Sequence, residues 1–246
     1  MQGQEAERLL SILRDEIRKQ SAGVGHAAIL FSGGLDSSIV AQICRENTQA
    51  TLYTVGTAGS HDIAASVSGD LRPGSRLVAV VAADASALES AVQVRKLFRE
   101  KLGIEPSHTE VSVYAPMYHL MQFVSEEHVF TGQGADELFG GYSRYVRMTA
   151  GERVSSMRRD AEKLLLTGVK RDKCVAEHFH KIIHFPYLSD RVAEFSYSLP
   201  PELKISGTAR KVVLRECARL LSLTASEKEK KAMQYGSGFE KILRRS

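Results

Sequence analysis

The chain has 246 residues, of which 43% are hydrophobic, and carries a formal net charge of +4 with a pI near 8.9. This composition supplies a substantial core and excludes a disordered or fibrous chain, while the small basic excess suits anionic ligands and falls short of what wrapped nucleic acid requires. Cys44, Cys174 and Cys217 are odd in number and form no C-x-x-C spacing, which argues against a disulfide framework or a zinc ribbon.

In chain order, Leu9, Leu13 and Ile17 recur at helical spacing among charges and predict an amphipathic helix to about residue 20, ended by SAGVGH. Strand and helix patterns then alternate: AAILF at 27–31, a helix from Ser37 to about Glu46, ATLYTV at 50–55, a helix from about Asp62, RLVAVVA at 76–82, a long helix from about Ala85 to Leu102, and EHVFTG at 127–132. Such alternation predicts an α/β fold, an open parallel sheet with helices on both faces. After residue 143 the pattern is helical, punctuated by Pro186, Pro200 and Pro201. The expected organisation is an N-terminal helix over 1–20, an α/β core over 21–142 and a helical lobe over 143–246. The charged N-terminal stretch resembles no export signal, and no apolar run approaches the ~18 residues of a membrane span, so a cytoplasmic protein is expected.

Two glycine-rich blocks carry the chemistry. The first, SGGLDSS at 32–38, stands between an apolar strand and a helix. A turn of this kind brings backbone N–H groups close to a phosphate, and the helix N-terminus adds partial positive charge. It is not the P-loop G-x-x-x-x-G-K-[ST], because no lysine follows the glycines and Asp36 stands inside the turn. A carboxylate beside phosphates repels them unless a divalent cation lies between, so Asp36 reads as a Mg²⁺ ligand. The second block, TGQGADELFGGYSRY at 131–145, also follows an apolar strand, where open α/β sheets bind ligands.

The first block resembles the pyrophosphate loop of the N-type ATP pyrophosphatases. GQGADELFGGY is similar to the block that marks the asparagine synthetase family, including its β-lactam-forming relatives. TVGTAGSHDIAA at 54–65, FPYLSDRVAEFSYSLPPELKI at 185–205, KVVLREC at 211–217 and KEKKAMQYGSG at 228–238 resemble further segments of that family, so the likeness runs from about Ala27 to Gly238.

The resemblance implies an adenine nucleotide alpha hydrolase-like fold and an AMP-forming carbon–nitrogen ligase that uses ATP and Mg²⁺. A small-molecule carboxylate would be adenylated, and ammonia or an amine would then displace AMP. On this likeness Ser32, Gly33, Gly34, Asp36, Ser37, Ser38 and Gly132 belong to the ATP site, Leu30 and Val55 meet the adenine through their main chain, and Asp36 and Asp136 share the Mg²⁺. A late lysine neutralises the departing pyrophosphate; Lys230 leads by its spacing to Gly236, followed by Lys231, then Lys211. Two departures stand out. Position 2 is Gln2, where the common asparagine synthetases carry the cysteine nucleophile of an N-terminal glutaminase domain, so nitrogen is expected from ammonia, a separate glutaminase subunit or an amine on the substrate. Gln133 replaces a glutamate that faces the second substrate, and an amide is no base near neutrality.

Other signals are weaker. Glu177, His180 and His184 fall at i, i+3 and i+7, a spacing that would place them on one helical face as candidate metal ligands, although a solvated or packed surface is the expected reading. Residues 144–173 hold nine Lys or Arg against four Asp or Glu, which reads as helix surface rather than a nucleic-acid interface. Two other functions share parts of this pattern: a tRNA-modifying adenylating enzyme, opposed by the DELFGGY block and the lack of C-x-x-C, and a non-catalytic nucleotide-binding subunit, opposed by the presence of both aspartates.

Overall fold

A computed structural model describes residues 2–67, 75–224 and 236–245. Five parallel strands form the central sheet: β1 (His26–Leu30), β2 (Gln49–Thr57), β3 (Arg76–Ala82), β4 (His128–Phe130) and β5 (Ile182–His184), in the order β3-β2-β1-β4-β5. The pleat sends alternate side chains to opposite faces. Ile29, Leu52 and Phe130 therefore enter one core with α1 (Gln2–Gln20), α2 (Leu35–Cys44), α9 (Asp190–Ser198) and α10 (Val212–Leu220). Ala28, Leu30, Tyr53, Val55 and Val129 enter the other with α4 (Asp84–Leu102), α5 (His108–Met121), α8 (Val169–His178) and α11 (Phe239–Leu243). Register agrees with this division, since Ile29 lies opposite Leu52 and Phe130, and Leu30 opposite Tyr53.

Helices α3 (His61–Val67), α6 (Ala135–Phe139) and α7 (Ala150–Lys163) complete the set, and a two-residue hairpin, β6 (Ile205–Ser206) with β7 (Ala209–Arg210), leads into α10. The amphipathic first helix ends at Gln20 as its periodicity predicts, and β3 occupies the predicted 76–82. Helix α5 has no counterpart in the periodicity reading. Ten of its fourteen residues are buried and Pro116 lies inside it, so no polar stripe marks it. Its start is nevertheless written in Ser107 and Glu110, which cap each other's backbone amides. The segment expected to be helical throughout after residue 143 supplies β5, the fifth strand of the main sheet. Three residues are too few to show a period.

Candidate functional site

The strand order places the site. Successive connections run from β1 outward to β2 and β3 and then return to β4 on the other side of β1, so a crevice opens beyond the carboxyl ends of β1 and β4. The two glycine-rich blocks leave those two neighbouring strands. They are about a hundred residues apart in sequence, yet an ideal Cβ placed on Gly132 would lie 3.0 Å from Asp36 Cβ. A side chain there would push the loops apart.

Helix α2 begins at Leu35, two residues earlier than the spacing predicts, which puts Asp36 in its first turn. Gly34 is its N-cap and supplies no side-chain hydrogen bond, so the end of the helix dipole stays open to an anion. The loop is held from within. The Ser32 amide donates to Ser37 Oγ at 3.3 Å, and Ser37 Oγ donates to the Gly34 carbonyl at 3.2 Å. Ser38 Oγ is buried and has no hydrogen-bond partner. A buried hydroxyl left unpaired costs about 1–3 kcal/mol, and an incoming phosphate oxygen would satisfy it.

Lys211 joins the two blocks. Its ammonium lies 2.8 and 2.7 Å from the two carboxylate oxygens of Asp36 and 2.5 Å from Asp136 Oδ1. Asp36 is only 2% exposed, and Lys211 is buried as well. The residue caps α10 with φ 57 and ψ 40, a left-handed conformation that costs a non-glycine residue of order 1 kcal/mol and persists where surrounding structure imposes it. That structure is the β6–β7 hairpin and the Arg210 guanidinium, which donates to the Gly141 carbonyl at 2.6 Å. Gly141 is required by the same packing, because a Cβ there would stand 1.8 Å from Asp136 Oδ1 and 2.4 Å from Lys211 Cε. Below the cluster, the buried Tyr187 hydroxyl donates to the Asp36 main-chain carbonyl at 3.4 Å. Burial and the nearby Asp36 charge raise its pKa well above the usual phenol range.

One ammonium against two carboxylates leaves a negative charge in excess within these three side chains. That donor set fits a hard divalent cation, which takes carboxylate oxygens, beside an anionic ligand on the loop. Leu30 and Val55 lie on adjacent strands near their carboxyl ends. At the carboxyl end of β2 the Thr57 amide donates to the Ser237 carbonyl at 2.8 Å. Lys230 and Lys231 lie outside the described residues. Lys211, the weakest of the three lysine candidates in the sequence, is the one that the described residues bring to both aspartates.

Gln133 is half-buried in the loop after β4, and its Nε2 donates to Asp172 Oδ2 at 3.4 Å. Asp172, in the first turn of α8, is 6% exposed. Burial pushes its carboxyl up to about 7, with the Glu137 charge adding to the rise and Gln133 and Arg171 opposing it. Glu137, itself buried, accepts from the Tyr142 hydroxyl at 2.5 Å. Nothing in the local sequence around Asp172, VKRDKC, sets it apart from a surface aspartate.

The candidate metal face is not formed. Glu177 lies near the end of α8, His180 follows with φ 57, and His184 stands on β5, so the three do not share a helical face. His184 Nε2 instead meets His128 Nδ1 at 2.9 Å and stacks on Phe130, and burial together with His128 holds its pKa down to about 4. Among the described residues no three His, Cys, Asp or Glu side chains group as metal ligands. In the basic stretch 144–173, Arg144, Arg158 and Arg171 pair with Asp160, Glu162 and Glu110, and Arg153 donates to the carbonyls of Tyr145, Met148 and Ile205. No helix among the described residues is long and apolar enough to cross a membrane.

The family model described as asparagine synthase matches residues 8–184 and 156–244. The protein named “Putative asparagine synthetase (glutamine-hydrolyzing) 1” of Methanocaldococcus jannaschii is 28% identical over 94% of this chain and 49% of its own length. Asparagine synthetase (glutamine-hydrolyzing) of Cricetulus griseus is 28% identical over 87% of this chain and 40% of its length, and asparagine synthetase domain-containing protein 1 of Bos taurus is 34% identical over 46% and 19%. The chain thus spans about half or less of the curated relatives it matches.

Proposed function

The chain belongs to the asparagine synthase family, and on that premise we propose that it is an ATP-dependent, AMP-forming amide ligase. One observation carries the reading: Lys211 gathers the aspartates of both glycine-rich blocks at the switch point of a parallel sheet. Asp36 and Asp136 would hold Mg²⁺, which supplies charge neutralisation for the phosphates. The uncapped end of α2 and the unpaired Ser38 hydroxyl would grip the β and γ phosphates, so pyrophosphate leaves and AMP stays on the acyl group. Ser32, Gly33, Gly34, Ser37 and Gly132 would shape that loop, and Leu30 and Val55 would offer main-chain groups to the adenine. Lys211, together with Lys230 or Lys231, would balance charge on the departing pyrophosphate. A carboxylate substrate is activated first, and ammonia or an amine then forms the amide. Delivery of that nitrogen by a glutaminase domain or subunit is consistent with the relatives' names.

The test is carboxylate-dependent ATP–pyrophosphate exchange, screened across free amino acids beginning with aspartate, with AMP and ADP measured together. AMP and no ADP is expected. Asp36→Asn and Asp136→Asn should each lower exchange by about 100-fold or more, because either change leaves the cation poorly held. ADP as the product sinks the proposal.

A further inference from the structure

Resting on the ligase reading, we propose that Asp172, oriented by Gln133, is the proton acceptor of the amide-forming half-reaction. When an amine attacks an activated carboxyl group, the C–N bond forms as the C–O bond to AMP breaks. The bond's electron pair leaves with AMP, and the nitrogen must shed a proton. Some group near the attacking nitrogen has to receive it.

The other carboxylates near the crevice are committed. Asp36 and Asp136 share the Lys211 ammonium, and Glu137 accepts from Tyr142. Asp172 differs. Among the described residues its one hydrogen bond is the 3.4 Å contact from Gln133, although a carboxylate accepts about four. It reaches the crevice through that contact, since Gln133 stands between Gly132, packed on Asp36, and Gly134, packed on Leu188. With Nε2 donating to Asp172, Gln133 Oε1 remains as an acceptor for an N–H of the incoming nitrogen. The pair therefore offers one atom that orients the amine and one that takes its proton, which supplies the base that an amide at position 133 lacks.

The surroundings tune Asp172 for this work. Besides Gln133, the groups that act on it are Glu137 from α6 and Arg171 from α8, and the Tyr114 hydroxyl on α5 feels its charge. Arg171 is drawn off to Glu110 at 2.6 Å, so it does not close an ion pair on Asp172. A carboxyl at about 7 is a far better proton acceptor than an ordinary surface aspartate and still half-ionised at neutral pH.

The experiment separates the half-reactions in wild type, Asp172→Asn and Asp172→Glu. Pyrophosphate exchange reads the first; amide formation from ammonium chloride and hydroxamate formation from hydroxylamine read the second. Hydroxylamine is a weak base that is largely neutral at neutral pH and needs less help in losing a proton. For Asp172→Asn we expect exchange within about 3-fold of wild type, ammonium-dependent amide formation down about 100-fold or more, and hydroxamate formation down less than about 10-fold, in the range general-base catalysis contributes. Asp172→Glu, which keeps the carboxylate, should retain amide formation with a displaced pH midpoint. Equal losses with ammonium and hydroxylamine, or exchange and amide formation falling together in both variants, would overturn the assignment while leaving the ligase reading intact. Wild-type exchange absent with every carboxylate would overturn the ligase reading and this inference with it.

Discussion

Replacing Lys211 by methionine keeps the length and most of the volume of the side chain while deleting the ammonium shared by Asp36 and Asp136. Asp36 is almost fully buried, so its charge cannot simply turn to water. Removing one partner from a buried ion pair costs about 3–5 kcal/mol, because the remaining charge stays desolvated. At about 2–4 °C per kcal/mol for a chain of this size, the melting temperature of Lys211→Met in EDTA should fall by roughly 10 °C. The same deletion leaves two carboxylates facing one place, which is what a divalent cation seeks. Saturating Mg²⁺, at about 100 times its dissociation constant, would return about 2.7 kcal/mol and should recover roughly half of the loss. Wild type, whose carboxylates already hold a cation, should gain less. Differential scanning calorimetry with and without Mg²⁺ makes the comparison. A variant that melts within about 1 °C of wild type in EDTA, or a Mg²⁺ effect equal in both proteins, would refute the argument that these carboxylates depend on the lysine.

Asp172 also sets a pH dependence of stability. Its carboxyl is raised from 3.8 to about 7 in the fold, so the unfolded chain ionises first, and stability present below about 4 is lost as pH rises to about 7. At 1.36 kcal/mol per pH unit the loss is about 4 kcal/mol at most; urea unfolding of Asp172→Asn should show its advantage over wild type growing across that window and level above it. Gly141→Ala should cost several kcal/mol and weaken Mg²⁺-dependent activity together, since the added methyl group meets Asp136 and Lys211. Retention of wild-type melting and wild-type activity by this variant would contradict the described packing.

Much of the sheet could be read from the chain because its buried strands are continuous apolar runs bounded by glycine turns, as in AAILF before SGGLDSS. Both glycine-rich blocks were legible for the same reason, as polar, flexible stretches interrupting apolar ones. Helix α5 and strand β5 were not, the first because nearly every face is buried and the second because three residues carry no period. The site was half legible. Asp36 and Asp136 stand inside the glycine-rich blocks and Lys211 opens KVVLREC, whereas Asp172 owes its place to a helix packed from far along the chain, and no local spacing encodes such an approach. The spacing of Glu177, His180 and His184 misled because periodicity assumes that the helix continues, and it ends at His178.

The strand order has a consequence for how the molecule comes into being. A chain emerging from its N-terminus can assemble β1, β2 and β3 with their helices, yet it owns only one jaw of the crevice until β4 arrives about seventy residues after the end of β2 and docks on the opposite side of β1. The third member, Lys211, is later still. If the proposed site is the binding site, competence to hold a charged ligand is withheld from every partial product and arises only when three distant segments meet. A ligand grasped by all of them acts as a clasp across the central seam of the sheet, so occupancy and completeness of folding report on one another.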